Sequence, residues 1–178
     1  VNPDMAMFGK ALGNGYPVTA VIGKKNIMDS AQSSFISSTF WTDRIGSVAA
    51  IETLKCMEET KSWEIISKTG LEIKERWMDL ALKYELEIEI SGISSLPNFT
   101  FKSKFHNIFK TFISQEMLKK GFLASNSIYV CINHSEEIID KYFLALRDIF
   151  MSISNCKETD IENLIEGEPA HTGFQRLN

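Results

Sequence analysis

Cysteine is scarce and scattered in this sequence: three residues in 178, Cys56, Cys131 and Cys156, with no CxxC pair and no Cys/His cluster. That pattern excludes a disulfide framework, which needs paired thiols, and a zinc site, which needs grouped ligands. The three are expected to be reduced, packed thiols. Positive charge is not in excess either. Lys and Arg number 19 against 23 Asp and Glu, for a formal charge of -4, and the two signs are interspersed. No face then offers the cation density that a phosphate backbone or an anionic membrane requires, so nucleic acid and membrane are set aside as partners. No run of 18 apolar residues is present, and no charged segment leads into an apolar stretch at the N-terminus, which argues against a spanning helix and a secretory signal. The expected location is the cytoplasm. His106, His134 and His171 are the only histidines; no two of them have metal-ligand spacing, so each reads as a surface or capping residue and no metal is expected.

What is present is apolar content of 44%, enough for one ordinary domain or two small ones. The chain opens on Val1, then Asn-Pro-Asp and an apolar run, with no initiator Met; the expectation is a piece of something longer. "MAMF" (5–8) and "VTAVIG" (18–23) read as buried strands flanking a glycine-rich loop. A short helix is expected near 26–29, followed by a hydroxyl-rich stretch without period. Asp43 is a plausible cap for a helix over 44–60 whose apolar residues cover much of its circumference, which predicts burial on more than one side.

From Ser62 the pattern becomes an amphipathic helix with Ile66, Gly70, Ile73, Trp77, Leu80, Ala81 and Tyr84 on one face. "LEIEISG" (86–92) alternates, with Leu86, Ile88 and Ile90 opposed to glutamates, as in a half-exposed antiparallel strand. "NFTFK" (98–102) alternates as well. Phe105, Ile108, Phe109 and Phe112 predict a helix stopped by Gly121, "SIYVCI" (127–132) a third strand, and Ser135 caps a last helix with Ile139, Tyr142, Phe143, Leu146 and Phe150 toward the core. The aromatic positions 99, 101, 105, 109 and 112 fit core faces, and Glu85, Glu87 and Glu89 fit a solvated strand face.

The chemistry-bearing candidate is Lys10 in "MFGKALGNGYPV" (7–18). A Walker loop needs Ser or Thr after the lysine, and Ala11 stands there instead. Lys10 follows directly on an apolar strand, at the sheet edge where α/β proteins gather ligands, among glycines that leave room for a planar group. Two readings stand at this point. One is a lysine snorkelling at a strand end; the other is an amine withdrawn from water, neutral enough to attack a carbonyl as Schiff-base lysines do.

"PDMAMFGKALGNGYPVTAVIGKKNIMD", with "SSTFWTDRIGSVAAIETL" after it, resembles the class III aminotransferases of pyridoxal phosphate fold type I, in particular their glutamate-1-semialdehyde 2,1-aminomutase-like branch. The closing "TGFQRL" is similar to the end of aminomutase-type chains. The resemblance implies an α/β fold, with residues 1–60 as the C-terminal part of the cofactor-binding large domain and 61–178 as a small C-terminal α+β domain with an antiparallel sheet. It implies pyridoxal 5'-phosphate as cofactor, Lys10 as its Schiff-base and proton-transferring residue, and Thr39 as a hydrogen-bond donor to its phosphate, often across a homodimer interface, with Ser38 as a weaker helper. It implies small amino and keto substrates and amino-group transfer, either between molecules or within one. Thr39 retains a second reading as a residue tying down a turn. Asp4 is rejected as partner of the pyridine nitrogen, because in the family that aspartate lies well upstream of the lysine, as do the phosphate-binding helix start and the stacking aromatic. "SSTFWTDRIG" departs from the family's more usual run, which leaves the substrate open. Arg44 and Arg176 are left unassigned. A chain with this site alone should bind cofactor poorly, and the alternative to an enzyme is a non-catalytic module retained for association.

Overall fold

The structure is a computed structural model that describes residues 2–171 and 173. Of the closing "TGFQRL" run only Gly173 is described, so Arg176 lies outside the described residues. The chain divides into two compact units, Val1–Ser62 and Trp63–Asn178. No described helix is long and apolar enough to cross a membrane.

In the first unit, β1 (Met5–Phe8) pairs antiparallel with β2 (Ala20–Gly23), Met5 opposite Gly23 and Phe8 opposite Ala20. A short helix α1 (Lys25–Met28) and the longer α2 (Arg44–Thr60) follow. Asp43 caps α2 as its spacing predicts, its Oδ1 accepting from the Ile45 N–H at 2.9 Å. The helix ends at Lys61, whose left-handed φ of 49° brings its N–H to the Met57 carbonyl.

Burial in this unit differs from expectation. Both strands are mostly exposed, and α2 buries only Gly46. Met7 is 76% exposed, Trp41 67% and Ile45 57%. The physical reason is size: one hairpin and one 17-residue helix supply too little surface to cover both faces of the sheet or the full circumference of the helix.

The second unit has the closed core. Helix α3 (Ser62–Lys83) presents Ile73, Trp77 and Ala81, each at most 1% exposed, with Ile66, Leu80 and Tyr84 beside them. Gly70 on that face approaches the Ser94 carbonyl so closely that a Cβ would collide with it. Strands β3 (Ile88–Ser91) and β4 (Asn98–Phe101) pair antiparallel. Ile88, Phe99 and Phe101 point inward while Glu87, Glu89 and Thr100 are exposed, as the alternation requires. Helix α4 (His106–Lys119) contributes Phe109, Phe112, Ile113 and Met117, with Gly121 beyond it at φ 85°. Helix α5 (Glu136–Asn155), capped by Ser135 Oγ accepting from the Ile138 N–H, buries Ile139, Tyr142, Phe143, Leu146 and Phe150.

The third strand is a partial one. Segment 126–130 lies antiparallel to 95–99 through three backbone hydrogen bonds, from Phe99 N–H to the Asn126 carbonyl, Ile128 N–H to Pro97 and Val130 N–H to Ser95, yet only Asn98 and Ser127 form a regular bridge. Pro97 explains the shortfall. It faces Ile128 where an antiparallel ladder exchanges two bonds, and it has no N–H to return one.

Phe99 sits at the centre of the core, edge-on to Trp77 at 4.8 Å, with Phe101 at 5.7 Å and Phe150 at 5.8 Å. One polar pair is enclosed with these rings: Trp77 Nε1–H donates to Tyr142 Oη at 3.0 Å. Burial pushes the Tyr142 hydroxyl far above its ordinary value, with the Trp77 donation pulling weakly the other way. Because the folded state holds this proton more tightly than the unfolded chain, its contribution is complete at neutral pH and falls as pH rises past about 10. Urea unfolding of Tyr142→Phe should show a loss of about 1–3 kcal/mol, since Trp77 N–H is left buried without an acceptor, and the variant should lose less stability than the parent above that pH. Equal alkaline losses in the two proteins would contradict this assignment.

Candidate functional site

The loop between β1 and β2 is built around a run of backbone hydrogen bonds and two close glycine approaches. Gly9 is extended, and the next residue, Lys10, adopts a left-handed φ of 51° as it opens a 3-10 turn over Lys10–Leu12. The turn is closed by Leu12 N–H to the Gly9 carbonyl, Gly13 N–H to Lys10 and Asn14 N–H to Ala11, each at 3.1 Å, and Tyr16 N–H then reaches the Gly13 carbonyl at 3.0 Å. Gly13 is buried, and a Cβ there would strike the Tyr16 carbonyl and come within 2.7 Å of Val18 Cγ1. Gly46, in the first turn of α2, plays the matching part from the other side: a Cβ would lie 3.1 Å from both the Pro17 oxygen and Val18 Cβ. Helix α2 is thereby seated on the loop that carries the lysine.

An open cleft of about 1000 Å³ results, walled by Lys10, Tyr16–Thr19, Ile36–Ser38, Phe40, Trp41 and the start of α2 at Asp43, Gly46 and Ser47. Lys10 and Ser38 therefore share one cleft. Thr39 is exposed in the turn over 39–42, between the wall residues Ser38 and Phe40, and is not itself part of the wall. Thr19, Ser37 and Ser47 line the same space; a spacing argument has no means of finding Thr19 and Ser47, because the hairpin and the α2 packing bring them in. Lys10 is exposed, so the withdrawal from water expected at this strand end is not supplied by the described residues, for the same reason that β1 and β2 are exposed.

The remaining candidates fall elsewhere. Asp4 is paired with Lys24 across the hairpin at 2.6 Å, both side chains more than half exposed. Arg44 is exposed at the start of α2. His106 Nδ1 lies 3.1 Å from the Ser103 carbonyl and His134 Nδ1 accepts from the Cys131 N–H at 3.4 Å. No group of three or more His, Cys, Asp or Glu able to hold a metal occurs among the described residues. Cys56 and Cys131 are exposed, against the packed thiols expected: Cys56 stands on the largely uncovered α2, and Cys131 follows the last residue of the segment paired with 95–99.

A model of the aminotransferase class-III family matches residues 1–133. The chain belongs to the class III aminotransferases. Curated relatives include the aminopentol aminotransferase of Sphingopyxis macrogoltabida, 30% identical over 57% of this chain and 24% of that protein. The 3-aminobutyryl-CoA aminotransferase of Cloacimonas acidaminovorans is 28% identical over 76% and 34%. A glutamate-1-semialdehyde 2,1-aminomutase of Sulfurisphaera tokodaii is 32% identical over 56% and 24%. Among solved structures, FumI of Sphingopyxis sp. MTA144 in its PLP internal aldimine form superposes with a TM-score of 0.76 at 23% identity, over 85% of this chain and 37% of that one. An S-selective transaminase from Arthrobacter sp. with alanine bound gives 0.73 at 22%, over 86% and 39%. The class III chain described here thus spans between about a quarter and two fifths of the length of the relatives it matches, and its fold is that of the C-terminal part of a fold type I transferase.

Lys10 is a non-glycine residue in a region of backbone space that costs roughly 1–2 kcal/mol. Asparagine tolerates that conformation better. In chemical denaturation Lys10→Asn should leave stability unchanged or raise it by up to about 1 kcal/mol; a loss larger than that would mean the amine is needed to hold the loop.

Proposed function

We propose that Lys10 is the residue through which the protein holds pyridoxal 5'-phosphate, and that the reaction is transfer of an amino group. The observation that carries this reading is the Lys10 amine on the wall of a cleft at the end of β1, in a chain whose first 133 residues match the class III family. The cleft suits the cofactor chemically. It offers an amine for the aldehyde, several hydroxyl donors for a phosphate, and a backbone passage at Gly15 where even an added Cβ would meet nothing within 4 Å. Pyridoxal phosphate supplies the electron sink for carbanion chemistry. Lys10 Nζ would hold the cofactor by its aldehyde and would serve as the base that takes and returns the proton of the substrate's amine-bearing carbon. Thr39 would donate its hydroxyl to the phosphate, with Ser38 beside it.

The unit boundaries support assigning residues 1–60 to the end of the large, cofactor-binding domain and 61–178 to the small domain. The exposed apolar residues Phe35, Ile36, Phe40 and Trp41 are compatible with a homodimer interface next to the cleft. Aminotransferases and aminomutases match at similar identity, and we retain the aminomutase-like branch on the motif resemblance. An aminomutase would convert its substrate with no added amino donor.

The cofactor-loaded protein should show a visible absorbance band that Lys10→Ala removes, together with at least about a hundredfold loss of activity, the lower bound for a positioned acid–base group. Thr39→Val should weaken cofactor binding by about tenfold or more, as loss of a hydrogen bond to a charged group does. A colourless protein that still dimerises would replace this reading with that of a non-catalytic association module.

A further inference from the structure

The segment after α5 returns along α4 and is tied to one face of it. Thr111, Gln115 and Lys119 follow each other at intervals of four, so they form a row along the helix. Each meets the returning segment. Gln115 holds it with both ends of its carboxamide, Nε2–H donating to the Leu164 carbonyl at 3.2 Å and Oε1 accepting from the Glu166 N–H at 2.8 Å. Thr111 Oγ1 accepts from the Ala170 N–H at 2.8 Å. Lys119 Nζ reaches Glu166 at 2.6 Å and Glu116 at 2.8 Å. Ahead of these ties Ile161 is buried, and Leu164 and Ile165 pack against the core from outside.

We propose that residues 158–170 are a clasp on α4 that opens and closes as one piece, with Gln115 as its pin. The segment is secured mainly by side chains. Among the described residues, no backbone–backbone hydrogen bond joins 161–170 to α4, α5 or a strand; its hydrogen bonds to α4 run through the side chains of Thr111 and Gln115, and Ile161, Leu164 and Ile165 pack on the core. Such a piece detaches without disturbing the hydrogen bonds within α4 or α5, and opening uncovers the core edge that Ile161 seals. The ties are unequal. The Lys119 and Glu166 side chains are 50% and 72% exposed, and an exposed ion pair contributes little, whereas Gln115 satisfies two backbone groups at once.

Native-state hydrogen exchange on the protein separates this from three independent bonds. Loss of Gln115 in Gln115→Ala trivially frees the Glu166 amide, so the informative amide is Ala170, whose own acceptor Thr111 is untouched. A clasp requires Ala170 exchange to accelerate by about tenfold or more in Gln115→Ala, by no more than about twofold in Lys119→Ala, and not at all for the interior amides of α4 and α5. Gln115→Glu, which keeps the acceptor for Glu166 and loses the donor to Leu164, should fall between parent and Ala variant. An unchanged Ala170 amide in Gln115→Ala overturns the proposal, and so does a uniform acceleration across α4 and α5.

Discussion

The close approach of Gly13 to the Tyr16 carbonyl is the constraint on which the site depends. With any side chain at 13, the loop could not fold back on itself beneath Val18. The 3-10 turn would then lose the bond from Gly13 N–H to the Lys10 carbonyl, and the left-handed conformation of Lys10 would have nothing to hold it. That conformation is unfavourable for a lysine, and strain persists where surrounding structure over-determines it. Here the surroundings are specific: the hairpin of β1 and β2 fixes both ends of the loop, and Gly46 lets the first turn of α2 press on Pro17 and Val18.

The two units manage their apolar residues in opposite ways. The second encloses Trp77, Phe99, Phe150 and Leu146 completely and bonds the enclosed polar groups of Trp77 and Tyr142 to each other. The first leaves Met7, Phe35 and Trp41 largely in solvent, Trp41 on the wall of the cleft. Surface of that kind marks a place where other protein packs, in keeping with a chain that spans only part of its relatives' length. Lys10 is exposed for the same reason as the strands beside it: the described residues of this unit cover neither.

Local pattern carried most of the fold. The α3 face from Ile66 to Tyr84, the alternation around Ile88 and Phe99, and the caps at Asp43 and Ser135 are each decided by residues within a few positions of one another, so they could be read directly. The failures required knowledge of what lies opposite. Apolar content around α2 implied burial, but burial depends on a neighbour. The strand at 127–132 was weakened by Pro97, thirty residues away, which withholds one N–H from the ladder. The strand end and glycines singled out Lys10 but left open whether it snorkels or serves chemistry, whereas the place of Thr19 and Ser47 on the cleft could not be read at all, because tertiary packing alone brings them there.

The central claim is that one amine, on Lys10, is the attachment point for the cofactor. Borohydride reduction of the cofactor-loaded protein, followed by digestion and mass mapping, tests it most directly. The account requires the reduced pyridoxyl group on the peptide containing Lys10 and on no other lysine. Label on Lys24 or Lys25 across the hairpin, or no label at all, would contradict it.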